Sequence, residues 1–296
     1  MRSTGGRSPV PAPNTPQRAL LARRLRELRA AAFTSGSALA RHLGWHQTRV
    51  SKLEQGNQRP TDDDLREWAE AVGASPAQLD ELYELASAAR IEYATFQHRY
   101  RQHGGAVAEQ ETTAREDAAS SRIAEFQPAM IPGLLQTAAY ARDILTRPCG
   151  PASNGVTPGE IDQIVGKRME RQQVLYQPDQ QIQIVMGEAA LRTRFGTTET
   201  LIGQLDRLLA LTGYAHVEIG VVPFAAAMPV FPLTNFLLYD DHVLIESITA
   251  QQRLDSPDDV KSYESYFDQL REAAVTGPEL EALLLRVSAN LRDQLV

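Results

Sequence analysis

The sequence predicts two domains of different class: an all-α N-terminal domain of five helices, then a helical connector, then a C-terminal α+β domain with a small, largely antiparallel sheet. Three observations predict this. Leucines recur at helical spacing between residues 20 and 28, and capping residues punctuate the stretch that follows. Beyond residue 180, short runs alternate apolar and polar side chains with the two-residue period of strands. The 296 residues also exceed what a single core usually organises, since cores stop growing at about 250 to 300 residues.

Taken in order, residues 1–16 are rich in Pro, Ser and Gly and read as a disordered basic tail. The first domain is expected over 17–85. Leu20, Leu21, Leu25 and Leu28 give a first helix over about 17–31. Ser35 caps a second helix that buries Leu39, Ala40 and Leu43, and Gly44 ends it. A third helix over about 46–55 turns Val50 and Leu53 inward. Thr61 caps a fourth through "DDDLREWAEAVG", whose first-turn acids suit the helix dipole. Pro76 opens a fifth.

The connector, 86–112, is expected to remain helical to about 103 and to break at His103, Gly104 and Gly105. A polar helix should follow to about 122. In the domain assigned to 113–296, "RIAEFQ" reads as extended, then comes a Pro-Gly turn and a helix over about 133–146. The segment "RPCGPASNGVTPGE" is turn-rich, and a helix over 158–176 leads to the strand "QIQIVMGE", in which Ile182, Ile184 and Met186 alternate. Then come the helix "TETLIGQLDRLLALTG", the strand "AHVEIGVVPF" and a hairpin turning at Asp240 and Asp241. Two helices separated by Gly277 and Pro278 close the chain. No solenoid repeat is present.

The formal charge of −7 conceals an asymmetry. Residues 1–60 hold eleven Lys or Arg against Glu27 and Glu54, a net of +9, while the remaining 236 residues carry −16. A basic end on an acidic body is an electrostatic footprint for a polyanion such as DNA. At 100° per residue, Gln47, Thr48, Ser51, Lys52 and Gln55 share the face of the third helix opposite Val50 and Leu53. Amides, hydroxyls and an ammonium of this kind can bond base edges, and the loop at Asn57, Gln58 and Arg59 can meet phosphate.

Other chemistries find less support. Cys149 is the only cysteine, so a disulfide framework or multi-cysteine metal site is excluded. No glycine-rich phosphate loop follows a strand, and the histidines do not cluster at metal-ligand spacing. No cofactor or enzymatic activity is expected. The N-terminus lacks the apolar segment of a secretory signal, and no run approaches the roughly 18 apolar residues of a membrane span. A cytoplasmic protein, nucleoid-associated when bound to DNA, is expected.

The elements "LRELRA", "SGSALARHLGW", "HQTRVSKLEQG" and "RPTDDDLREWAEAVG" resemble the Cro/lambda-repressor type of helix-turn-helix, the xenobiotic-response-element family. The resemblance implies that the third helix enters the major groove, with Gln47, Thr48, Ser51 and Lys52 at base edges and Ser35, Arg49, Gln55, Asn57 and Arg59 along the backbone. It further implies a structural pair between Arg29 and Glu54. Gly36 stands where many members carry a phosphate-binding glutamine, and His46 stands where Ser or Thr usually caps the recognition helix.

The second half resembles the C-terminal domain of actinobacterial helix-turn-helix regulators of the Scr and WhiJ types. The matching elements are "PGLLQT" at 132–137, "RMERQ" at 168–172, "GEAALR" at 187–192, "VVPF" at 221–224 and "ES" at 246–247. This resemblance implies a transcription regulator, often working with a small BldB-like partner protein. A homodimer on double-stranded DNA is expected because helix-turn-helix proteins gain specificity from two half-sites, with the acidic C-terminal half as the source of dimer contacts. Gln136, Glu188, Arg192 and Glu246 are the candidate partner or ligand residues. The alternative is a DNA-binding protein whose second domain is a small-ligand sensor or an enzyme.

Overall fold

Leu21, Leu25 and Leu28 share one side of α1 (Pro16–Ala32), and all three are buried. In the computed structural model, which describes residues 16–58, 60–95, 99–100, 104–147, 156–231, 234–248 and 250–295, the chain divides into two units, Met1–Glu92 and Tyr93–Val296. The first unit is helical: α2 (Gly36–Leu43), α3 (Gln47–Glu54), α4 (Asp62–Val72) and α5 (Pro76–Arg90) follow α1. Leu39, Val50, Leu53, Leu65, Trp68 and Leu82 close its core with the α1 leucines. Burying side chains of this size contributes about 1.5 to 3 kcal/mol each, which offsets the ordering of five short helices.

The expectation of a continuous helix over 86–103 is corrected. The helix ends at Arg90, and Ile91–Thr95 form strand β1. The sequence "IEYAT" contains a β-branched residue at each end and an aromatic between, a composition that fits a pleated strand better than a helix interior. His98, His103, Cys149 and nearly all of the N-terminal tail lie outside the described residues.

The second unit continues with α6 (Ala106–Ala119), β2 (Arg122–Gln127), α7 (Ala138–Leu145), α8 (Pro158–Arg171), β3 (Gln181–Gly187), α9 (Thr198–Leu211), β4 (Val217–Val222), β5 (Phe236–Leu238), β6 (Val243–Glu246), β7 (Ala250–Leu254), α10 (Pro257–Ala273) and α11 (Gly277–Asp293). The seven-stranded sheet has the order β1-β7-β6-β5-β2-β3-β4. β2, β3 and β4 are parallel, whereas the β2–β5, β5–β6 and β6–β7 pairs are antiparallel. The sheet is mixed and mostly antiparallel.

Helices cover both faces. Ile182, Ile184, Met186, Ile219 and Val221 pack on one side with residues of α9 and α11, and Ala124, Phe126, Val185, Val222 and Phe236 pack on the other against Phe267 and Leu270 of α10. Double coverage explains why β3 is buried from Ile182 to Met186, the polar Gln183 included, and why only Glu218 of β4 is not fully buried. Two local readings change. The stretch expected as one helix from 133 starts as a 3-10 turn, Gly133–Leu135, and α7 begins only after Thr137 accepts a hydrogen bond from the Tyr140 amide. β7, "AQQRL", lacks an alternating apolar pattern and gave no strand signal.

Candidate nucleic-acid interface

The site begins with caps. The Ser35 hydroxyl accepts from the Ala38 amide at 3.1 Å, starting α2. Gly44, at φ 67°, ends α2 in the left-handed region that glycine adopts without strain. The His46 ring then accepts from the Thr48 amide at 3.3 Å and so starts α3. An imidazole here does what Ser or Thr does elsewhere: it supplies an acceptor to an orphan helix N–H. Gly36 also has a local cause. A Cβ at this position would stand 3.3 Å from Val50 Cγ1 and 3.7 Å from Glu54 Oε2, so a bare backbone lets α2 approach α3 closely.

Two ion pairs fix α3. Arg29 Nε donates to Glu54 Oε1 at 2.8 Å and Arg29 Nη2 to Glu54 Oε2 at 3.3 Å, a two-point clamp between α1 and α3 with both side chains mostly covered. Arg49 pairs with Asp64 of α4, and its guanidinium lies 4.2 Å from the centroid of the Trp45 ring. Asp64 is buried and also completes the α4 capping box: its carboxylate accepts from the Thr61 amide at 3.0 Å and its own amide donates to the Thr61 hydroxyl at 3.1 Å. Trp45 donates its indole N–H to Glu67 at 3.0 Å. Arg49, expected along the DNA backbone, is therefore already engaged inside the unit.

The outer face of α3 is laid out as its periodicity dictates. Gln47, Thr48 and Lys52 are exposed, Ser51 is half-buried, and Val50 and Leu53 are buried beneath them. Gln55 donates to the Ser51 hydroxyl at 3.2 Å and accepts from Asn57 at 3.0 Å, a chain of polar groups running from the helix into the following loop. Arg59 lies outside the described residues.

In the second unit the four candidate residues do not gather into one pocket-like cluster. Gln136 is buried; its amide donates to the Ile131 carbonyl at 2.7 Å, and its side-chain oxygen accepts from Arg168 at 2.8 Å. Glu188 holds Arg192 through bonds of 2.9 and 2.6 Å, and its second oxygen accepts from the Phe224 amide at 2.8 Å. Glu246 ends β6 and accepts from Gln251 at 3.3 Å. Among the described residues, no hydrogen bond or ion pair joins Gln136 or Glu246 to the Glu188–Arg192 pair.

Sequence reasoning missed a polar network beneath the sheet. Asp117 of α6 pairs with Arg171 of α8 and accepts from the Tyr239 hydroxyl at 2.6 Å. Burial pushes the Glu125 carboxyl of β2 up to about 7 despite a hydrogen bond from Gln127. Burial, helped by neighbouring Arg171, brings Arg168 down to about 10. Glu116 shows the reverse: burial alone would raise it, but His242 and Arg253 hold it at about 2. The signal available in sequence was "RMERQ", which sets Arg168 and Arg171 three residues apart on one helix face.

No described helix is long and apolar enough to cross a membrane. Residues 20–82 match a helix-turn-helix domain, which supports a DNA-binding regulator. Among solved structures the chain is similar to TrmBL2, described as an archaeal chromatin protein that shows a novel mode of DNA binding. That likeness has 13% identity and a TM-score of 0.31 over 87% of this chain and 93% of that one, too low to carry an argument. No curated protein matches the chain. Residues 110–286, more than half of the chain, match the domain of unknown function DUF5753, and the protein belongs to that family.

Proposed function

We propose that the protein is a sequence-specific transcription regulator that binds double-stranded DNA as a homodimer, with α3 in the major groove. The observation that carries this reading is the outer face of α3, where Gln47, Thr48 and Lys52 stand free over a core-anchored helix clamped by Arg29–Glu54. Those three, with Ser51, read base edges; Ser35, Gln55, Asn57 and Arg59 hold the backbone. Arg49 acts chiefly as a positioning residue, because its charge is met by Asp64. Two copies supply the two half-sites that give such proteins their specificity.

The second unit serves association and signal reception rather than catalysis. Its buried network ties α6 and α8 to the sheet through the Arg171–Asp117, Tyr239–Asp117 and Arg168–Gln136 bonds, which suits a rigid interaction scaffold of the kind the actinobacterial resemblance implies, including contact with a small BldB-like protein. The test is selection of bound sequences from a random duplex pool by the full chain. Enrichment of a two-fold symmetric motif supports the reading, and a pool that stays random defeats it. A ligand-sensing or enzymatic second unit is favoured instead by turnover or a ligand-dependent rise in melting temperature that is independent of DNA.

A further inference from the structure

Four of the motifs noted in the sequence leave the sheet at one place. "PGLLQT" follows β2, "GEAALR" starts at the last residue of β3, "VVPF" ends β4 and "ES" ends β6. β2, β3 and β4 are parallel, and β6 is antiparallel to β5, which is itself antiparallel to β2. All four strands therefore point the same way, and their carboxyl ends form one end of the sheet. Pro223 leaves β4 and Asn235 enters β5 at that end, and Ser247 and Ile248 follow β6 there too.

Large apolar side chains stand exposed at this end, with the exposed charges of Glu246 and Arg192 beside them. Phe231, Ile248 and Phe224 are the most exposed large apolar side chains among the described residues, at 82%, 73% and 67%, and Met228 on the same loop is 44% exposed. Single exposed hydrophobics are ordinary, but several gathered at one end mark an interaction surface. The loop is also held in place. Glu188, gripped by Arg192, accepts the Phe224 amide; Tyr266 donates its hydroxyl to the Phe231 carbonyl; Ala226 and Val230 pack on the core beneath. A loop anchored at both ends loses little further freedom on binding.

We propose that this end of the sheet is the surface through which two copies of the chain associate, with Phe224, Met228, Phe231 and Ile248 at its centre. The proposal rests on the reading of the protein as a two-fold DNA binder. Charge selects the occupant. Residues 93–296 carry 17 Lys or Arg against 26 Asp or Glu, a net of −9, so two copies of this unit repel overall. The thirteen residues Pro223–Asn235 contain no Asp, Glu, Lys, Arg or His. Two such loops meeting across a two-fold axis bury apolar against apolar surface without opposing like charges, whereas a strongly basic or acidic partner finds on this loop nothing to pair with. Phe and Met are also the side chains enriched at interface centres. A stable contact needs about 800 Å² from each partner, so the neighbouring motif turns complete its rim.

The test is sedimentation equilibrium of the full chain beside a Phe231→Glu/Ile248→Glu variant and an uncharged Phe231→Ala/Ile248→Ala variant. Both positions are exposed, so circular dichroism and melting temperature should match those of the unchanged protein. The dimer dissociation constant should rise at least about 30-fold in the charged variant and by a smaller factor in the alanine variant. Leu285→Glu, at an exposed apolar residue of α11, should dimerise as the unchanged protein does. An unchanged protein that stays monomeric at all concentrations overturns the proposal, as do folded variants that dimerise undiminished. An unchanged protein that dimerises yet shows no sequence preference for DNA defeats the proposed function and leaves the interface standing.

Discussion

Replacing Arg29 or Glu54 with alanine tests the clamp that orients α3. The two groups meet at 2.8 and 3.3 Å, with side chains only 16% and 12% exposed. At an effective dielectric of about 20 and a charge separation near 4 Å, the gross attraction is on the order of 4 kcal/mol. Desolvation and side-chain ordering consume much of that, leaving a coupling of about 1 to 3 kcal/mol. Each single substitution should cost about 2 to 3 kcal/mol, because it strands the partner's charge in a covered site. The double substitution should cost much less than the sum. Urea unfolding followed by tryptophan fluorescence isolates the effect, since the chain has two tryptophans and both, Trp45 and Trp68, sit in the first unit. A cycle in which the two losses simply add would refute the clamp.

Arg49→Ala should lower first-unit stability by about 2 kcal/mol in the same assay, by leaving the buried Asp64 carboxylate without its cation; an unchanged urea midpoint would mark the pair as inert. Gly187→Ala should lower the melting temperature of the second unit, because its Cβ would stand 2.4 Å from the Pro128 carbonyl oxygen, an overpacking worth about 1 to 3 kcal/mol. Equal melting curves would show that Pro128 moves aside freely. Glu125, folded at about 7, binds a proton that an unfolded glutamate releases at about 4.3, so its contribution falls as pH rises between those values, by about 4 kcal/mol in total. Glu125→Gln should therefore compare more favourably with the unchanged protein at pH 8 than at pH 5, and a pH-independent difference in melting temperature would contradict this.

The first unit was legible because its signals are local. Ser35, Gly44 and Thr61 announce helix ends through their own side-chain or backbone chemistry, and Val50 and Leu53 fix which side of α3 faces water. The Arg29–Glu54 pair came from family resemblance rather than from spacing, since nothing local links residues 25 apart. What stayed hidden depends on partners distant in sequence. β1 and β7 are strands because the sheet offers edges to pair with, and "AQQRL" has no pattern to reveal it. The Arg49–Asp64 pair is not visible locally because the two residues lie 15 apart, with Asp64 in a helix whose first-turn acids already fit the dipole. The Asp117–Arg171–Tyr239 network spans 122 residues and needed the fold to bring it together.

The most direct test of the account is the discrimination of Lys52→Ala between the selected DNA site and a scrambled duplex at matched salt. Lys52 is exposed on α3 and has no ion pair among the described residues, so its loss should spare the fold. If α3 reads bases, the variant should lose about 1 to 3 kcal/mol on the selected site and much less on the scrambled one. Equal losses on both duplexes, or none on either, would contradict the assignment of α3 as the reading helix.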